Sequence, residues 1–204
     1  MKVSRRTQEE RTAATRAALI SAGRALFAEH GFAGVGTETL VREAGVSRGA
    51  LYHQFGDKTE LFAEVLAAVE ADVTQRLAEA VPAGDGDIDL VTVMRQAVET
   101  WLDACESPEV QRIVLVDGPS VLGWVRWRAI CQPYVLGMIE IVLSQAAADG
   151  QLMPLPIKPL SHLLIAVADE AAMFMHAADD RAAARAEIVQ IIDALVRGLV
   201  VDRG

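Results

Sequence analysis

The sequence contains little cysteine and no cysteine or histidine arrangement typical of a metal site. Cys105 and Cys131 are the only cysteines among 204 residues, and neither belongs to a Cys-x-x-Cys motif or a Cys/His cluster. Structural zinc needs about four closely spaced ligands, so we predict no metal site. We interpret both cysteines as small buried residues in a reducing compartment, with a thiol-sensing role as the alternative.

Long apolar runs are also absent. No run reaches the roughly 18 residues that a membrane-spanning helix requires. The basic start of the chain, residues 1–6, is not followed by the apolar segment of a secretory signal. Hydrophobic residues nevertheless make up 52% of the chain, enough for a sizeable core. We therefore expect a folded cytoplasmic protein with no membrane partner.

Sequence motifs of catalysis are missing as well. The chain has no nucleophile elbow, no phosphate-binding loop and no His/Glu set with metal spacing. His162 and His176 would lie about 21 Å apart on one unbroken helix, too far to share a metal ion. We predict no catalytic residue and no cofactor. An enzyme that uses the acids and histidines of the C-terminal half, such as Glu170, is the competing hypothesis.

Strand-like alternation persists nowhere, and apolar residues recur instead at helical spacing. We predict an all-α fold of about nine helices. They are expected at residues 8–30, 37–44, 48–55, 58–81, 88–105, 107–117, 121–149, 160–177 and 181–201. A loop is predicted at 82–87, and three prolines predict an irregular segment at 153–159.

The charge is distributed unevenly along the chain. The net charge is −9, yet residues 1–58 contain nine Lys/Arg and six Asp/Glu, a net charge of +3. The remaining residues contain ten basic and 22 acidic side chains, a net charge of −12. A basic end on an acidic body is expected when that end faces phosphates. Residues 2–6 are predicted to be an arm that is either solvated or in contact with phosphate.

Residues 37–58 have the spacing of a helix-turn-helix, whose second helix lies in the major groove of DNA. Thr37 could cap the first helix, which is predicted to end at Ala44. Gly45 tolerates the positive φ of the turn, and Ser47 is placed to cap the second helix. A packed helical hairpin without DNA is the alternative that the charge distribution disfavours.

The second helix of the motif is expected to turn Ala50, Leu51 and Phe55 inward. Arg48 can then pair with guanine O6 and N7, a contact worth roughly 1–3 kcal/mol of base discrimination. Gly49 lets the helix approach the bases closely, and the first turn of the next helix can hold a phosphate. The predicted DNA-binding residues are Thr37, Ser47, Arg48, Gly49, Tyr52, His53 and Lys58.

The motif Thr-x-x-Leu-Val-x-x-Ala-Gly-Val-Ser-x-Gly-x-Leu-Tyr-x-x-Phe-x-x-Lys-x-x-Leu, residues 37–61, resembles the N-terminal domain of TetR-family (tetracycline-repressor-like) transcriptional regulators. The resemblance covers about residues 10–65. It departs from the family at Val41, usually Ala, and at Gln54, usually His. It implies a helix-turn-helix DNA-binding domain at residues 1–57 and a helical ligand-binding and dimerisation domain at residues 58–204.

The resemblance also implies an effector pocket in the C-terminal bundle, where several bulky side chains occur. An ordinary core is the alternative for each of them, and a buried carboxylate there would need a partner. The predicted ligand-binding residues are Trp101, Trp124, Trp127, Tyr134, Met138, Glu170 and Phe174.

In the family the last two helices form a four-helix dimer interface, and the last helix has a matching apolar stripe. The predicted interface residues are Ile188, Ile191, Ile192, Leu195, Val196 and Leu199. A purely intramolecular core is the alternative.

These observations predict a homodimeric, ligand-responsive regulator that acts as a repressor. Its expected partners are a pseudo-palindromic double-stranded DNA operator and a small, largely apolar effector. Effector binding would move the helix that begins at Lys58 and change the separation of the reading helices. The alternative is a family member without ligand response, acting as a constitutive DNA-binding or interaction module.

Overall fold

The computed structural model describes residues 7–80 and 89–201, without the side chain of Tyr134. The predicted arm at 2–6 and the predicted loop at 82–87 lie outside these residues. The described parts form nine α-helices and one π-helix, which confirms the all-α prediction. They are α1 (Gln8–Gly34), α2 (Thr37–Glu43), α3 (Arg48–Phe55), α4 (Lys58–Ala80), α5 (Leu90–Cys105), the π-helix (Val110–Asp117), α6 (Gly118–Leu122), α7 (Trp124–Ala148), α8 (Ile157–Ala177) and α9 (Arg181–Arg197).

Helix α1 begins at a capping box and contains a break. The N–H of Glu10 donates to Thr7 Oγ1 and the N–H of Thr7 donates to Glu10 Oε2, so two free donors of the helix end are satisfied. At Gly31 the backbone turns to φ 70° and ψ 167°. The prediction that Gly31 ends the helix is therefore correct for the interruption, but helical structure resumes up to Gly34.

The middle and end of the chain differ from the predicted helix bounds. Gly123 adopts φ 76° and separates α6 from α7, so the long helix starts at Trp124 rather than at residue 121. Helix α8 starts at Ile157 because Pro159 falls in its first turn, where a backbone N–H is not needed. Helix α9 ends at Arg197, with Gly198 as its C-cap, four residues earlier than predicted.

The chain divides into two compact units that we describe separately. Unit 1 contains residues 1–70 and 108–130, and unit 2 contains residues 71–107 and 131–204. The π-helix, α6 and the start of α7 therefore belong to the same unit as the helix-turn-helix, although they follow it by fifty residues or more. The predicted domain boundary after residue 57 follows chain order rather than packing, and it stays a prediction.

Unit 1 is built on α1, which packs against α2, α3 and the π-helix. Phe27, Phe32 and Phe62 form an aromatic cluster with ring centroids 5.2–5.8 Å apart. A Cβ on Gly23 would lie 2.8 Å from Val65 Cγ2, so a larger residue would push α1 away from α4. This core fixes the position of α1 beneath the helix-turn-helix.

Unit 2 contains α5, α8 and α9 packed against one another. The indole N–H of Trp101 on α5 donates to the carbonyl of Ala168 on α8, at 3.0 Å. The guanidinium of Arg185 on α9 lies 2.6 Å from Asp103 and also donates to the carbonyl of Glu99, both on α5. Polar contacts thus fix α5 against both of the last two helices.

Among the described residues no single helix is both long and apolar enough to cross a membrane. The two halves of α7, Trp124–Pro133 and Val135–Ala148, meet the length and composition requirement only together, as a bent pair.

Candidate functional site

Helices α2 and α3 and the turn between them form the helix-turn-helix. Gly45 has φ 64°, and the N–H of Val46 donates to the carbonyl of Val41 to close the end of α2. Ser47 is the N-cap of α3 and its Oγ accepts from the N–H of Ala50 at 3.2 Å. The predicted conformations of Gly45 and Ser47 are confirmed. Thr37 is not a cap, because Gly36 holds that position and α2 has no side-chain cap.

The two faces of α3 are separated as predicted. Leu51 and Phe55 are buried within unit 1 and Ala50 is half-buried, and the Arg16 guanidinium lies 4.8 Å from the centre of the Phe55 ring. Arg48, Gly49, Tyr52 and His53 are exposed. The inward face therefore anchors the helix, and the outward face is free to meet another molecule.

Arg48 is the centre of a small polar cluster on this outward face. Its Nη1 donates to Glu38 Oε1 on α2 at 3.1 Å, and its Nη2 donates to the hydroxyl oxygen of Tyr52 at 3.2 Å. The guanidinium also lies 5.5 Å from the centre of the Tyr52 ring. The hydrogen bond to Tyr52, with a smaller contribution from Glu38, raises the pKa of Arg48. The guanidinium is thus charged and oriented.

Gly49 lies in open space beside Arg48. A Cβ at this position would have only Ser47 Oγ within 4 Å, at 3.9 Å. Nothing inside the protein therefore requires glycine at position 49, unlike Gly23 in the core. A requirement for glycine there would have to come from a molecule outside the protein.

Lys58 is engaged inside the fold, and its predicted contact with a phosphate stays a prediction. Its ammonium donates to the carbonyls of Phe32 and Val35, both at 2.9 Å, and lies 3.9 Å from the centre of the Phe32 ring. Partial burial lowers the pKa of Lys58. Lys58 thus satisfies two carbonyls around the end of α1, and the third N–H of its ammonium remains for a phosphate.

The π-helix supports the other side of the same α1 break, a feature that the sequence reasoning missed. The N–H of Phe32, released by the break at Gly31, donates to Asp117 Oδ2 at 2.6 Å. Arg112 Nε approaches the same oxygen at 3.4 Å, and a Cβ on Gly31 would overlap the Arg112 guanidinium. Asp117 thus accepts from the N–H of Phe32, and Lys58 donates to its carbonyl.

The predicted ligand-binding residues are divided between the two units. In unit 1, Trp127 is buried and its indole N–H donates to the carbonyl of Val114 at 2.9 Å, whereas Trp124 is 58% exposed. In unit 2, Trp101 is buried, Met138 is half-buried, and Glu170 and Phe174 are exposed. The side chain of Tyr134 lies outside the described residues.

Among the described residues the buried carboxylates are those of Glu70 and Asp117, both in unit 1, and not that of Glu170. Glu170 is exposed, while Glu70 on α4 is only 3% exposed. The sequence signal for Glu70 is its position among the apolar residues of α4, between Val69 and Val73, both of which are buried.

In the structure, the predicted interface residues of α9 fall into a buried set and an exposed set. Ile188, Ile192 and Val196 are buried inside unit 2, which favours the intramolecular alternative for them. Ile191 and Leu195 are 59% and 51% exposed, and Leu199 is half-buried. Helix α8 adds further exposed apolar side chains, at Leu163, Val167, Met173 and Phe174.

Residues 7–80 and 89–201 contain no group of three or more His, Cys, Asp or Glu residues placed to hold a metal ion.

Comparison with protein families gives two matches that together cover most of the chain. The model described as "Bacterial regulatory proteins, tetR family" matches residues 19–65. The model described as "Tetracyclin repressor-like, C-terminal domain" matches residues 91–199.

Curated relatives include transcriptional repressors. The chain is 30% identical over 161 residues to the HTH-type transcriptional repressor AcnR of Corynebacterium glutamicum, covering 76% of this chain and 78% of the relative. It is 24% identical to the transposon Tn10 TetC protein of Escherichia coli, covering 77% and 78%.

Solved structures share the fold over nearly the whole chain. A TetR-family transcriptional regulator from Pectobacterium atrosepticum superposes with a TM-score of 0.81 at 30% identity, covering 97% of this chain and 99% of that one. RolR in complex with resorcinol superposes with a TM-score of 0.74 at 18% identity, covering 96% and 92%, which shows the fold alone.

Proposed function

The chain belongs to the TetR family and is a DNA-binding transcriptional regulator, and on this basis we propose that it is a homodimeric repressor released from its operator by a small effector. The observation that carries the proposal is the outward face of α3, where Arg48, Tyr52 and His53 are exposed on the basic end of the chain. The repressor named among its relatives supports the direction of regulation.

In this proposal α3 enters the major groove with Arg48 facing a guanine. Tyr52 and His53 contact phosphates or sugars beside the groove. Ser47 and Thr37 lie at the N-terminal ends of α3 and α2, where free backbone N–H groups favour phosphate. The acidic remainder of the chain repels DNA, which confines the contact to this face.

Dimerisation supplies the second reading helix. A two-fold dimer matches a pseudo-palindromic operator whose half-sites are about one helical turn apart, roughly 34–36 Å. The exposed apolar residues of α8 and α9 form the proposed interface, with Ile191 and Leu195 on α9 and Leu163 and Phe174 on α8. An apolar patch shared by two adjacent helices is the kind of surface that associating proteins cover.

Effector binding in the C-terminal helical domain, predicted at residues 58–204, would favour one separation of the two α3 helices over another. The proposed effector is small and largely apolar, in keeping with the aromatic and methionine side chains of that part of the sequence. The structural neighbour bound to resorcinol supports a compound of this size, although it shares only the fold with this chain. Helix α4, which begins at Lys58 beside the α1 break, is the proposed connection.

The experiment that tests the proposal is binding of the purified protein to the promoter region of its own gene. We expect a specific complex that weakens steeply with salt. Arg48→Ala should lower specific affinity about tenfold, the lower part of the range for a bidentate guanine contact. Lys158→Ala, which removes an exposed cation on α8, is the matched control. Absence of a salt-sensitive specific complex, or equal affinity of Arg48→Ala and wild type, would contradict the assignment.

A further inference from the structure

Arg48 is held by two neighbours in the free protein. Glu38 reaches it from the first turn of α2 and accepts from Nη1, while Tyr52 lies one turn along α3 and accepts from Nη2. All three side chains are exposed, so the cluster contributes nothing to the core of unit 1. The cluster lies on the outward face of α3, the reading face, so its role is expected in the contact of that face with DNA.

The hydrogen bonds leave Arg48 able to read a base. Each Nη of a guanidinium carries two N–H groups, and only one on each nitrogen is used by Glu38 or Tyr52. The two remaining N–H groups, one on each nitrogen, can donate to acceptors outside the protein, such as O6 and N7 of guanine. The guanidinium therefore meets the base with part of its side-chain freedom already lost, which lowers the entropic cost of binding.

The same carboxylate works against contact with phosphate. Without Glu38, Arg48 would be a free cation near the DNA backbone, able to bind any phosphate whatever the sequence. A phosphate that approaches Nη1 meets the negative charge of Glu38, 3.1 Å from that nitrogen. Guanine presents two neutral acceptors and meets far less repulsion.

From this geometry we infer that Glu38 is a positioning residue for DNA specificity, which holds Arg48 for guanine and suppresses sequence-independent binding of Arg48 to phosphate. The inference rests on the proposed function, because it presupposes that α3 enters the major groove. It adds a residue of α2, with negative charge, to a reading face whose other proposed members are neutral or basic.

The first test compares Glu38→Gln with Glu43→Gln. Both changes remove one negative charge from α2 and keep the side-chain length, but Glu43 is exposed and has no ion pair among the described residues. The probes are the tightest duplex that wild-type protein selects from a random-sequence library and a scrambled duplex of equal length. We expect Glu38→Gln to bind the scrambled duplex more tightly and to lower the ratio of specific to non-specific affinity about tenfold. Glu43→Gln should change that ratio much less.

The second test asks whether Glu38 acts through Arg48. In the Arg48→Ala background, Glu38→Gln should no longer change the affinity ratio. A ratio that still falls in this background would mean that Glu38 contacts a base itself, for instance a cytosine N4 amino group, and would overturn the positioning role. Equal effects of Glu38→Gln and Glu43→Gln on the ratio would also overturn it. If wild-type protein selects no duplex at all, the proposed function fails and not the role of Glu38 alone.

Discussion

Glycine at position 49 is not required by any contact inside the protein. Gly49 lies in a helix, where glycine costs about 0.5–1 kcal/mol relative to alanine. The space around it is open within the protein, so no internal contact compensates for this cost. The glycine is best explained by an external surface that approaches α3 closely, and the base edges of the major groove fit that description.

Gly49→Ala should therefore stabilise the protein and weaken DNA binding. We expect the free energy of unfolding to rise by about 0.5–1 kcal/mol, because an exposed helical position gains propensity. Specific affinity should fall about tenfold, because the added methyl group lifts α3 from the bases that Arg48 contacts. Urea unfolding and fluorescence anisotropy with labelled operator measure the two effects.

Gly137→Ala provides the matched control. Gly137 also lies in a helix, α7, and apart from its own helix backbone and chain neighbours a Cβ there would have no atom within 4 Å. It should gain similar stability and leave DNA affinity unchanged. An unaltered DNA affinity in Gly49→Ala would show that α3 does not approach the groove closely at this position.

Lys58 shows how a side chain that matches a family motif can also hold the fold together. The sequence places it at the start of α4, where a phosphate contact is reasonable. Only the folded backbone reveals two carbonyls within 2.9 Å of its ammonium. Both carbonyls come from residues more than twenty positions earlier, so no local pattern could have predicted them.

At the scale of elements, the π-helix explains how Asp117 reaches α1. Residues five apart on an α-helix point about 140° away from each other, given 3.6 residues per turn. A π-helix bonds i to i+5, so Arg112 and Asp117 are brought to the same side. Both then face the break at Gly31, where the Phe32 N–H lacks a helical partner.

Removal of the Asp117 carboxylate should destabilise unit 1. In Asp117→Ala the Phe32 N–H loses its acceptor, and we expect a loss of about 1–3 kcal/mol in the free energy of unfolding. Asp117→Asn keeps an acceptor oxygen and should lose less, because only the charge-assisted part of the bond disappears. Urea unfolding midpoints of the two variants and wild type provide the measurement.

Asp103→Ala is a suitable control for this prediction. Asp103 is also paired with an arginine, Arg185, but it is exposed and caps no helix. Its removal should cost at most about 1 kcal/mol, as for other surface ion pairs. A loss in Asp117→Ala no larger than in Asp103→Ala would show that the contact with α1 contributes little.

At the scale of the whole molecule, DNA affinity should depend on the association of two chains. Ile191→Asp combined with Leu195→Asp places two charges on the exposed face of α9. These side chains do not fill the core of unit 2, so the monomer should fold, but an interface that buries unpaired charges should not form. Analytical ultracentrifugation should show a monomer in place of a dimer, and operator affinity should fall about tenfold or more, since the second reading helix is lost.

The control for dimerisation is Ile141→Asp on α7, where the side chain is 71% exposed. It introduces a charge at an equally accessible apolar position outside the proposed interface. We expect this variant to remain a dimer. If the α9 double variant also remains a dimer with normal operator affinity, the proposed interface is misplaced.

The sequence by itself determined the helical fold and the reading face. The apolar spacing, the turn at Gly45 and the cap at Ser47 are local features, decided by residues within a few positions of one another. The outward position of Arg48 and the inward position of Leu51 follow from the same periodicity. The uneven charge of the two ends can be read directly from the residues.

Tertiary structure alone decided which of these residues already form hydrogen bonds within the protein. Glu38 with Arg48, Lys58 with Phe32, and Asp117 with Phe32 pair residues that are 10, 26 and 85 positions apart. The stripe on α9 likewise divides into a buried and an exposed half because α5 and α8 pack against α9. Periodicity identifies an apolar face, but the neighbour that covers it is chosen by packing between distant segments, and that information is not local.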